Sequence, residues 1–247
     1  MTAVVLEDLA PIDVVELTER ASLQTRFDRK YVIPQAALDE LLRGTESGAR
    51  VLQIGDERDF AYESVYFDTD DLASFLGAAR RRRRRFKVRT RTYVDSDLCW
   101  VEVKTRGPRG STVKTRLPYD PSDRSTLTDE GRRFADEVLD GSPDGLTPTL
   151  TSTYRRSTLY LPTTGSRTTI DTGLVWTSTR TGLSRAVDGV VVVETKTGST
   201  PSSTDRLLWR HGHRPVRISK YGTGMAALDP DLPSTPWRRV LDRHVTL

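Results

Sequence analysis

Hydrophobic and polar residues alternate along much of the chain, which is the pattern of half-buried β-strands. Residues 86–93 read FKVRTRTY, and every second position from Lys87 is cationic. Because successive side chains of a strand point to opposite faces, one face of this segment holds only Lys87, Arg89 and Arg91. Similar alternation predicts nine strands, at 26–33, 62–67, 86–93, 99–105, 112–117, 151–161, 168–170, 190–196 and 218–220.

Four short helices are predicted, at 35–43, 70–79, 129–139 and 203–210. Thr69 and Thr128 are suitable N-caps for the second and third, and Gly44 directly follows the first. Many strands and few helices favour a mainly β (α+β) fold, either a barrel or a pair of packed sheets. Since no long linker or internal repeat interrupts the chain, we expect a single domain over residues 1–247.

Charged residues occupy one face of other predicted strands as well. Segment 99–106 reads CWVEVKTR and segment 191–198 reads VVVETKTG, so Glu-x-Lys followed by Thr occurs on two separate strands. Two orientations are open for these charged faces. They could lie in water, as in an ordinary antiparallel sheet with its apolar face inward, or they could line an interior.

The lack of acid on the basic face of residues 86–93 favours the interior orientation, provided that an anion binds there. Two like charges about 4 Å apart repel by roughly 4 kcal/mol at an effective dielectric constant near 20. A triphosphate or polyphosphate would relieve this repulsion, and a closed barrel can enclose such a chain. The acids Glu102, Glu194 and Asp171 would then act as metal ligands or as ion-pair partners that orient the bases.

Composition adds arguments about partners and compartment. The 247 residues are 36% hydrophobic and 29% charged with a formal net charge of +4, and residues 80–91 hold nine cations and no acid. Such a segment favours phosphate-bearing partners, although nucleic acid is disfavoured because no reading helix or interleaved aromatic residues accompany it. The single cysteine, Cys99, excludes an intramolecular disulfide. With no secretory signal and no apolar run of about 20 residues, we expect a cytoplasmic protein.

Nine segments, in order, resemble the VTC domain, the polyphosphate polymerase module of the triphosphate tunnel metalloenzyme (CYTH-like) superfamily. They cover nearly the whole chain and read RFDRKYVI (26–33), SVYFDTDDLASF (64–75), FKVRTRTY (86–93), WVEVKTR (100–106), STVKTRLP (111–118), PTLTSTYRRSTLY (148–160), RTTIDTGL (167–174), VVVETKTG (191–198) and RISKYGTGM (217–225). The Glu-x-Glu-x-Lys motif of the hydrolase and cyclase branch is absent, because residues 26–30 read RFDRK, and this favours the VTC branch.

This resemblance implies a closed antiparallel barrel of about eight strands around a basic tunnel. It implies a transferase that moves the γ-phosphate of ATP onto a growing inorganic polyphosphate chain, with a divalent metal, Mn²⁺ or Mg²⁺. The expected partners are ATP and polyphosphate, and the resemblance is also compatible with a membrane-protein partner. Two alternatives stay open at this point: a triphosphate hydrolase of the same fold, and a non-catalytic protein that binds polyphosphate or nucleotide.

Site residues follow from the same resemblance, position by position. The implied catalytic cations are Arg89, Arg91, Lys104, Arg155, Lys196 and Lys220. The substrate-binding residues are Lys30, Arg82, Arg83, Lys87, Lys114, Arg217, Tyr66 and Glu102. Arg82 and Arg83 are alternatives for one position, because the arginine run makes the alignment ambiguous. Glu194 falls where the family has its metal-binding glutamate.

Overall fold

Strands dominate the fold, which a computed structural model describes for residues 6–21, 27–106, 112–141 and 145–245. The strands are β1 (Ala10–Ile12), β2 (Phe27–Pro34), β3 (Arg50–Leu52), β4 (Phe60–Asp68), β5 (Phe86–Tyr93), β6 (Leu98–Arg106), β7 (Thr112–Tyr119), β8 (Thr147–Leu161), β9 (Ser166–Ser178), β10 (Ser184–Ala186) and β11 (Val190–Thr197). The helices are α1 (Val14–Arg20), α2 (Leu38–Arg43), α3 (Ala73–Ala79), α4 (Asp129–Leu139), α5 (Ser203–Arg210), α6 (Lys220–Leu228) and α7 (Arg238–His244). Within those ranges, no helix has the length and apolar character needed to cross a bilayer.

The predicted elements have counterparts in the structure, with one exception. Strand β5 and helices α4 and α5 have the predicted bounds, and the other predicted elements differ at their ends. Residue 26, predicted to begin a strand, lies outside the described residues. The predicted strand at 218–220 is wrong: helix α6 begins at Lys220, and the N-cap Ser219 accepts a hydrogen bond from the backbone N–H of Gly222 at 3.2 Å.

The chain forms two compact units, each built from segments that are separate in sequence. Unit 1 consists of Met1–Phe60, Arg155–Leu174 and Val187–Ile218, and unit 2 consists of Ala61–Tyr154, Val175–Ala186 and Ser219–Leu247. The two long strands β8 and β9 each contribute residues to both units. The expectation of a single domain over the whole chain stays a prediction.

In unit 1, β11 pairs with β2 on one side and with β9 on the other, in antiparallel register. One face of these strands is apolar, and α2 and α5 cover it with the buried residues Leu38, Leu41, Leu42, Leu207 and Leu208. Helix α5 is fixed by a capping box between Ser202 and Asp205. The buried Asp205 carboxylate also accepts hydrogen bonds from Tyr31 Oη at 2.6 Å and Thr195 Oγ1 at 2.7 Å, which ties the helix to the strands. Side-chain alternation leaves the opposite face for polar residues.

In unit 2, β4, β5, β6 and β7 pair in that order and are all antiparallel. The apolar face of these strands packs against α4, and the buried cluster consists of Val65, Phe67, Val88, Val101, Val103, Leu127, Ala135 and Leu146. Thr128 begins α4 as predicted, since its hydroxyl accepts from the Gly131 backbone N–H at 3.4 Å. The charged face of the same strands therefore lies on the side away from this helix.

Hydrogen bonds link the described strands in the order β2–β11–β9–β8–β4–β5–β6–β7. This path has eight strands, as expected, and its two ends are β2 and β7. No backbone pairing between described residues joins those ends, so the sheet is not closed by hydrogen bonds. A mainly antiparallel β fold is confirmed, and closure into a barrel is not.

Candidate functional site

The basic face of β5 is turned away from the core of unit 2, and yet its central residue is buried. Arg89 is only 6% exposed. The register places Arg89 between Tyr66 of β4 and Glu102 of β6, and it places Arg91 beside Ser64 of β4. The sequence left two orientations open for this face. Because Arg89 is buried, the centre of this face has the interior orientation.

Glu102, which is 1% exposed, is the counter-charge of this face. Its Oε2 accepts hydrogen bonds from Arg89 Nε at 2.9 Å and Nη2 at 2.5 Å, and its Oε1 accepts one from Lys114 Nζ at 3.1 Å. Burial raises the pKa of the Glu102 carboxyl, but the charges of Arg89, Arg91 and Lys114 outweigh burial and hold that pKa far below its usual range. Glu102 is therefore ionised in this network.

Three lysines form a row across the neighbouring register positions. Lys104 of β6 lies between Lys87 of β5 and Lys114 of β7. Burial lowers the pKa of the Lys104 ammonium well below its usual range, and the charges of Arg89, Arg91 and Lys87 lower it further. No hydrogen bond or ion pair to Lys104 is found among the described residues. The protein alone therefore disfavours the charged form of Lys104, and an anion bound here would favour it.

Arg91 and Ser64 add unsatisfied polar atoms to the same face. Arg91 Nε and Ser64 Oγ are both buried, and neither has a hydrogen-bond partner within the described part of the chain. The two residues are direct cross-strand neighbours. A buried polar atom without a partner costs about 1–3 kcal/mol. A donor and a hydroxyl in adjacent positions suit the oxygen atoms of a bound anion.

Tyr66 is a buried phenol among these cations. Its hydroxyl oxygen accepts a hydrogen bond from Arg89 Nη1 at 3.2 Å, and its ring stacks on that of Tyr221 with centroids 5.1 Å apart. Burial raises the pKa of the Tyr66 hydroxyl, but the charges of Arg89, Arg91 and Lys220 more than reverse this, so that the pKa lies below its ordinary value. The lowered pKa of Tyr66 is therefore a consequence of the positive potential at this face.

Helix α6 brings further residues to the face. Lys87 Nζ donates to Ser219 Oγ at 3.1 Å, and Lys220 Nζ lies 3.9 Å from the ring centroid of Tyr154. The buried carboxylate of Asp68 holds α3 and α6 together: it accepts from the Ser74 backbone N–H at 2.8 Å and from Tyr221 Oη at 2.5 Å. Asp68 is thus a structural residue beneath the site.

Unit 1 carries a second charged face. Glu194 of β11 lies in register between Lys30 of β2 and Thr169 of β9, and Lys196 lies two positions further along the strand. Lys196 Nζ and Glu194 Oε1 are 3.9 Å apart. Burial is the main cause that lowers the pKa of Lys196 to about 8, although the nearby Glu194 carboxylate opposes it. This face combines the Glu194 carboxylate with a lysine, Lys196, whose charge changes near pH 8.

Arg156 joins this face, and sequence reasoning missed it. Its Nε and Nη2 donate to the two carboxylate oxygens of Asp171, at 2.6 and 2.8 Å, and both side chains are buried. Arg155, which the resemblance selected, alternates to the other side of β8: its side chain is 49% exposed, and its Nε donates to Asp59 at 2.6 Å. The available signal was the alternation itself, since Tyr154 and Arg156 share a face and Arg155 does not.

The remaining predicted residues are exposed. Arg82 and Arg83 lie in the turn between α3 and β5, and Arg217 lies in the segment that leads to α6. The structure thus brings together Tyr66, Lys87, Arg89, Arg91, Glu102, Lys104, Lys114 and Lys220 in unit 2. In unit 1 it brings together Lys30, Glu194 and Lys196.

The residues around Glu194 supply only part of the ligands that a divalent metal needs. Among the described residues, no three or more His, Cys, Asp or Glu side chains are grouped closely enough to hold an ion. Glu194 does have a buried hydroxyl beside it, Thr169 Oγ1, which has no hydrogen-bond partner in the described structure. Mg²⁺ and its analogues keep several waters and bind through one or two carboxylates plus substrate phosphates. The residues therefore fit a metal shared with phosphate, and they do not fit one held by protein ligands alone.

Comparison with known families and structures adds an independent result. The VTC domain family model matches residues 25–229. No curated protein matches the sequence at a significant level.

Two solved structures share the fold at low sequence identity. HpAC1 from Hippeastrum, a proposed adenylyl cyclase described as having a dominant triphosphatase activity, is 15% identical with a TM-score of 0.53, over 85% of this chain and 98% of its own. A proposed adenylate cyclase from Bacillus halodurans is 14% identical with a TM-score of 0.50, over 78% of this chain and 92% of its own. At these identities the likeness concerns the fold alone.

Proposed function

We propose, since the chain belongs to the VTC domain family, that it is an ATP-dependent polyphosphate polymerase. It would transfer the γ-phosphate of ATP to the end of an inorganic polyphosphate chain. The observation that carries this proposal is the cation cluster of unit 2, in which the half-buried Lys104 lies between Lys87 and Lys114 and the buried Glu102 is the nearby acid. A linear chain of phosphates supplies the negative charge that this cluster lacks.

The residues of this cluster have distinct chemical roles in phosphate binding. Arginine presents a planar fork of donors that matches phosphate oxygens, whereas lysine acts as a compact point charge. Arg91, whose buried Nε has no hydrogen-bond partner among the described residues, is the residue we assign to direct phosphate contact. Glu102 keeps Arg89 and Lys114 oriented through the hydrogen bonds described above. Arg89 is thereby held in place before substrate arrives.

Phosphoryl transfer requires positioning and charge stabilisation more than covalent assistance. A terminal oxygen of the polyphosphate chain forms the new bond to the γ-phosphorus, and the bond from that phosphorus to the β,γ-bridging oxygen breaks, which releases ADP. The attacking oxygen is already anionic, so no general base is needed. The cations stabilise charge on the equatorial oxygens of the transferred group.

Glu194, with Thr169 beside it, is the residue proposed to hold a divalent metal in unit 1. Such an ion, when bound, neutralises phosphate charge. Lys30, its register partner on β2, and Lys196, two positions further along β11, are proposed to bind phosphate on that face. Arg156 is proposed as a further member of it, fixed by Asp171. Arg155 and Arg217 stay proposals that rest on the family resemblance.

Two alternatives give different products from the same assay. HpAC1, which shares the fold, is described as a triphosphatase, and this favours hydrolysis as the second candidate. A non-catalytic phosphate-binding protein is the third. Incubation with ATP and Mn²⁺, with the product sized on a gel, separates them. Long polymer supports the polymerase, free phosphate alone supports the hydrolase, and unchanged ATP with tight polyphosphate binding supports the binder.

The variant Lys104→Met makes the assay specific to the cation cluster. Removing Lys104 relieves repulsion from Lys87, so the free energy of unfolding should rise, while polymer synthesis should fall by about 10²–10³-fold, the typical loss for one stabilising donor. Arg133→Met, on the exposed surface of α4, is the matched control and should keep full activity. Full synthesis by Lys104→Met would contradict the proposal.

A further inference from the structure

Five consecutive arginines, Arg80–Arg84, form an exposed turn between α3 and β5, which we call the arginine turn. All five residues are exposed, in contrast to the buried Arg89 on the following strand. Within the described structure, no carboxylate lies within ion-pair distance of any of these five guanidinium groups. The turn is therefore a concentrated, uncompensated positive surface.

The backbone of the turn is a specific structure and not an irregular loop. Arg82 N donates to Gly77 O at 2.8 Å and Arg81 N donates to Ala78 O at 3.2 Å. This pair of hydrogen bonds is the Schellman motif that ends α3, in which the residue after the C-cap adopts a left-handed conformation. That residue is Arg81, with φ of 54°. Glycine is the residue that usually occupies this position, because it lacks a Cβ.

An arginine at this position costs stability that a glycine would not. A left-handed conformation is unfavourable for a non-glycine residue, because its Cβ comes too close to the following carbonyl oxygen. The helix dipole favours cations near the last turn, but the effect is confined to that turn, and Arg83 and Arg84 lie beyond it. Neither the backbone nor the dipole therefore accounts for five arginines. Their shared property is exposed positive charge.

The turn leads directly into the cation cluster of unit 2. Arg84 precedes Lys87 by three residues, a span of at most about 11 Å. Arg85 O accepts from Arg106 N at 3.2 Å, which pairs the end of the turn with the end of β6. An extended anion bound to Lys87 would have the arginine turn beside its continuing chain.

We propose that the arginine turn is a docking surface for the part of a polyphosphate chain that extends beyond the cation cluster of unit 2. The choice of polyphosphate as partner rests on the proposed function. The composition of the turn favours polyphosphate over RNA, since no aromatic side chain lies among Arg80–Arg84 to stack on bases. The turn provides charge without shape selectivity, which suits a uniform polyanion.

The length of the bound polyphosphate distinguishes the arginine turn from the cation cluster of unit 2, because only a long chain can contact both. The variant Arg80→Gln/Arg81→Gln/Arg84→Gln should bind a polyphosphate of about 100 phosphates at least tenfold more weakly at 0.1 M salt, and the log–log salt slope should fall by about 2 for three lost cations. Its affinity for tripolyphosphate should fall less than threefold. A control with Arg133→Gln/Arg238→Gln/Arg239→Gln, which removes three exposed cations elsewhere in unit 2, should change neither affinity.

A second variant separates charge from folding. Arg81→Gly should raise the melting temperature by about 2–4 °C, because glycine is relaxed at this φ, and should lower affinity for the long chain. Equal losses for long chain and tripolyphosphate, unchanged long-chain affinity, or tighter binding of single-stranded RNA of matched charge would each overturn the proposal. Absence of polymer synthesis from ATP, with chain-length-dependent binding intact, would instead overturn the proposed function and leave the surface assigned to polyanion binding.

Discussion

Arg89 and Glu102 face each other across β5 and β6, and two guanidinium nitrogens of Arg89 bind the same carboxylate oxygen, Oε2, at 2.9 and 2.5 Å. The other oxygen of Glu102 accepts from Lys114. Both members of the pair are buried. One carboxylate therefore compensates part of the charge of several cations, and this face keeps an excess of cationic side chains over acids.

Glu102→Gln should destabilise the ligand-free protein strongly and make it depend on anion. Removing one member of a buried ion pair costs about 3–5 kcal/mol, because the other charge stays buried. Here Arg89 loses its partner while Lys104 remains nearby, so we expect a loss of this order in the free energy of unfolding, measured by urea denaturation. Tripolyphosphate should restore more stability to this variant than to the wild type.

Glu63→Gln is the matched control for that prediction. Glu63 accepts from Arg124 Nε at 3.0 Å, but both side chains are partly exposed, at 26% and 47%. Pairs of this kind contribute about 0–1 kcal/mol. If the two glutamine variants had equal stability, or if tripolyphosphate stabilised them equally, Glu102 would not be the counter-charge of a phosphate site.

Binding of tripolyphosphate should weaken as pH rises above about 8. The pKa of Lys196 is lowered to about 8, so this lysine loses its charge in the range where a normal lysine keeps it. If Lys196 contacts phosphate, each pH unit above 8 should raise the dissociation constant by up to about tenfold, measured by calorimetry. Lys196→Arg should lose the part of this pH dependence that is due to Lys196, and comparing the two proteins in the same buffers cancels the titration of the ligand and of the other lysines.

The same shift has the opposite sign for stability. The folded-state pKa of Lys196 lies below the value of 10.5 for an unperturbed lysine, so the unfolded chain binds more protons between those two values. The Lys196 contribution to the free energy of unfolding should therefore rise between about pH 8 and 10.5, by about 3 kcal/mol. A stability curve that is identical for wild type and Lys196→Arg over this window would contradict the shift.

Arg155→Ala and Arg156→Ala should differ sharply although the residues are adjacent. Arg156 makes a buried bidentate pair with Asp171, and its loss should cost about 3–5 kcal/mol because Asp171 stays buried and charged. Arg155 pairs with Asp59 at an exposed position, and its loss should cost less than about 1 kcal/mol. Urea denaturation of both variants measures the difference. Similar losses would show that burial does not separate the two residues.

Several local features of this structure can be predicted from the sequence. The alternation of FKVRTRTY fixes which side chains share a face, and the bounds of β5 agree with the prediction. Thr128 and Ser202 cap α4 and α5, so local chemistry fixes where those helices begin. Periodicity and capping act over a few residues, which is why the sequence alone reveals them.

Long-range relationships are harder to predict. Alternation divides each strand into two faces but does not show which face is buried. In unit 2 the buried face is determined by α4, which covers the apolar side of the strands. The resemblance placed an arginine of β8 in the site and chose Arg155, whereas the pairing of Arg156 with Asp171 fifteen residues away is visible only in the folded strands. Helix α6 was not predicted, since the strand expected at 218–220 ends at Lys220, where the helix begins. The glycines of α6 disfavour a helix, and tertiary packing overrides that preference.

Gly222 of α6 shows that override most directly. A Cβ at this position would lie 2.1 Å from Trp237, and one at Gly224 would lie 2.6 Å from Trp176; real contacts of this kind are not found below 3.0 Å. Both tryptophans are buried, so neither ring can move aside without disturbing its own packing. Gly222→Ala should therefore destabilise the protein by at least about 1–3 kcal/mol, although alanine favours helix.

Gly198→Ala is the control, since nothing lies within 4 Å of its added Cβ and its φ is not in the left-handed region. Thermal unfolding should show a lower melting temperature for Gly222→Ala and little change for Gly198→Ala. A melting temperature for Gly222→Ala at or above that of wild type would mean that α6 does not pack against Trp237 as described, and the positions of Ser219 and Lys220 at the cation cluster would lose their support.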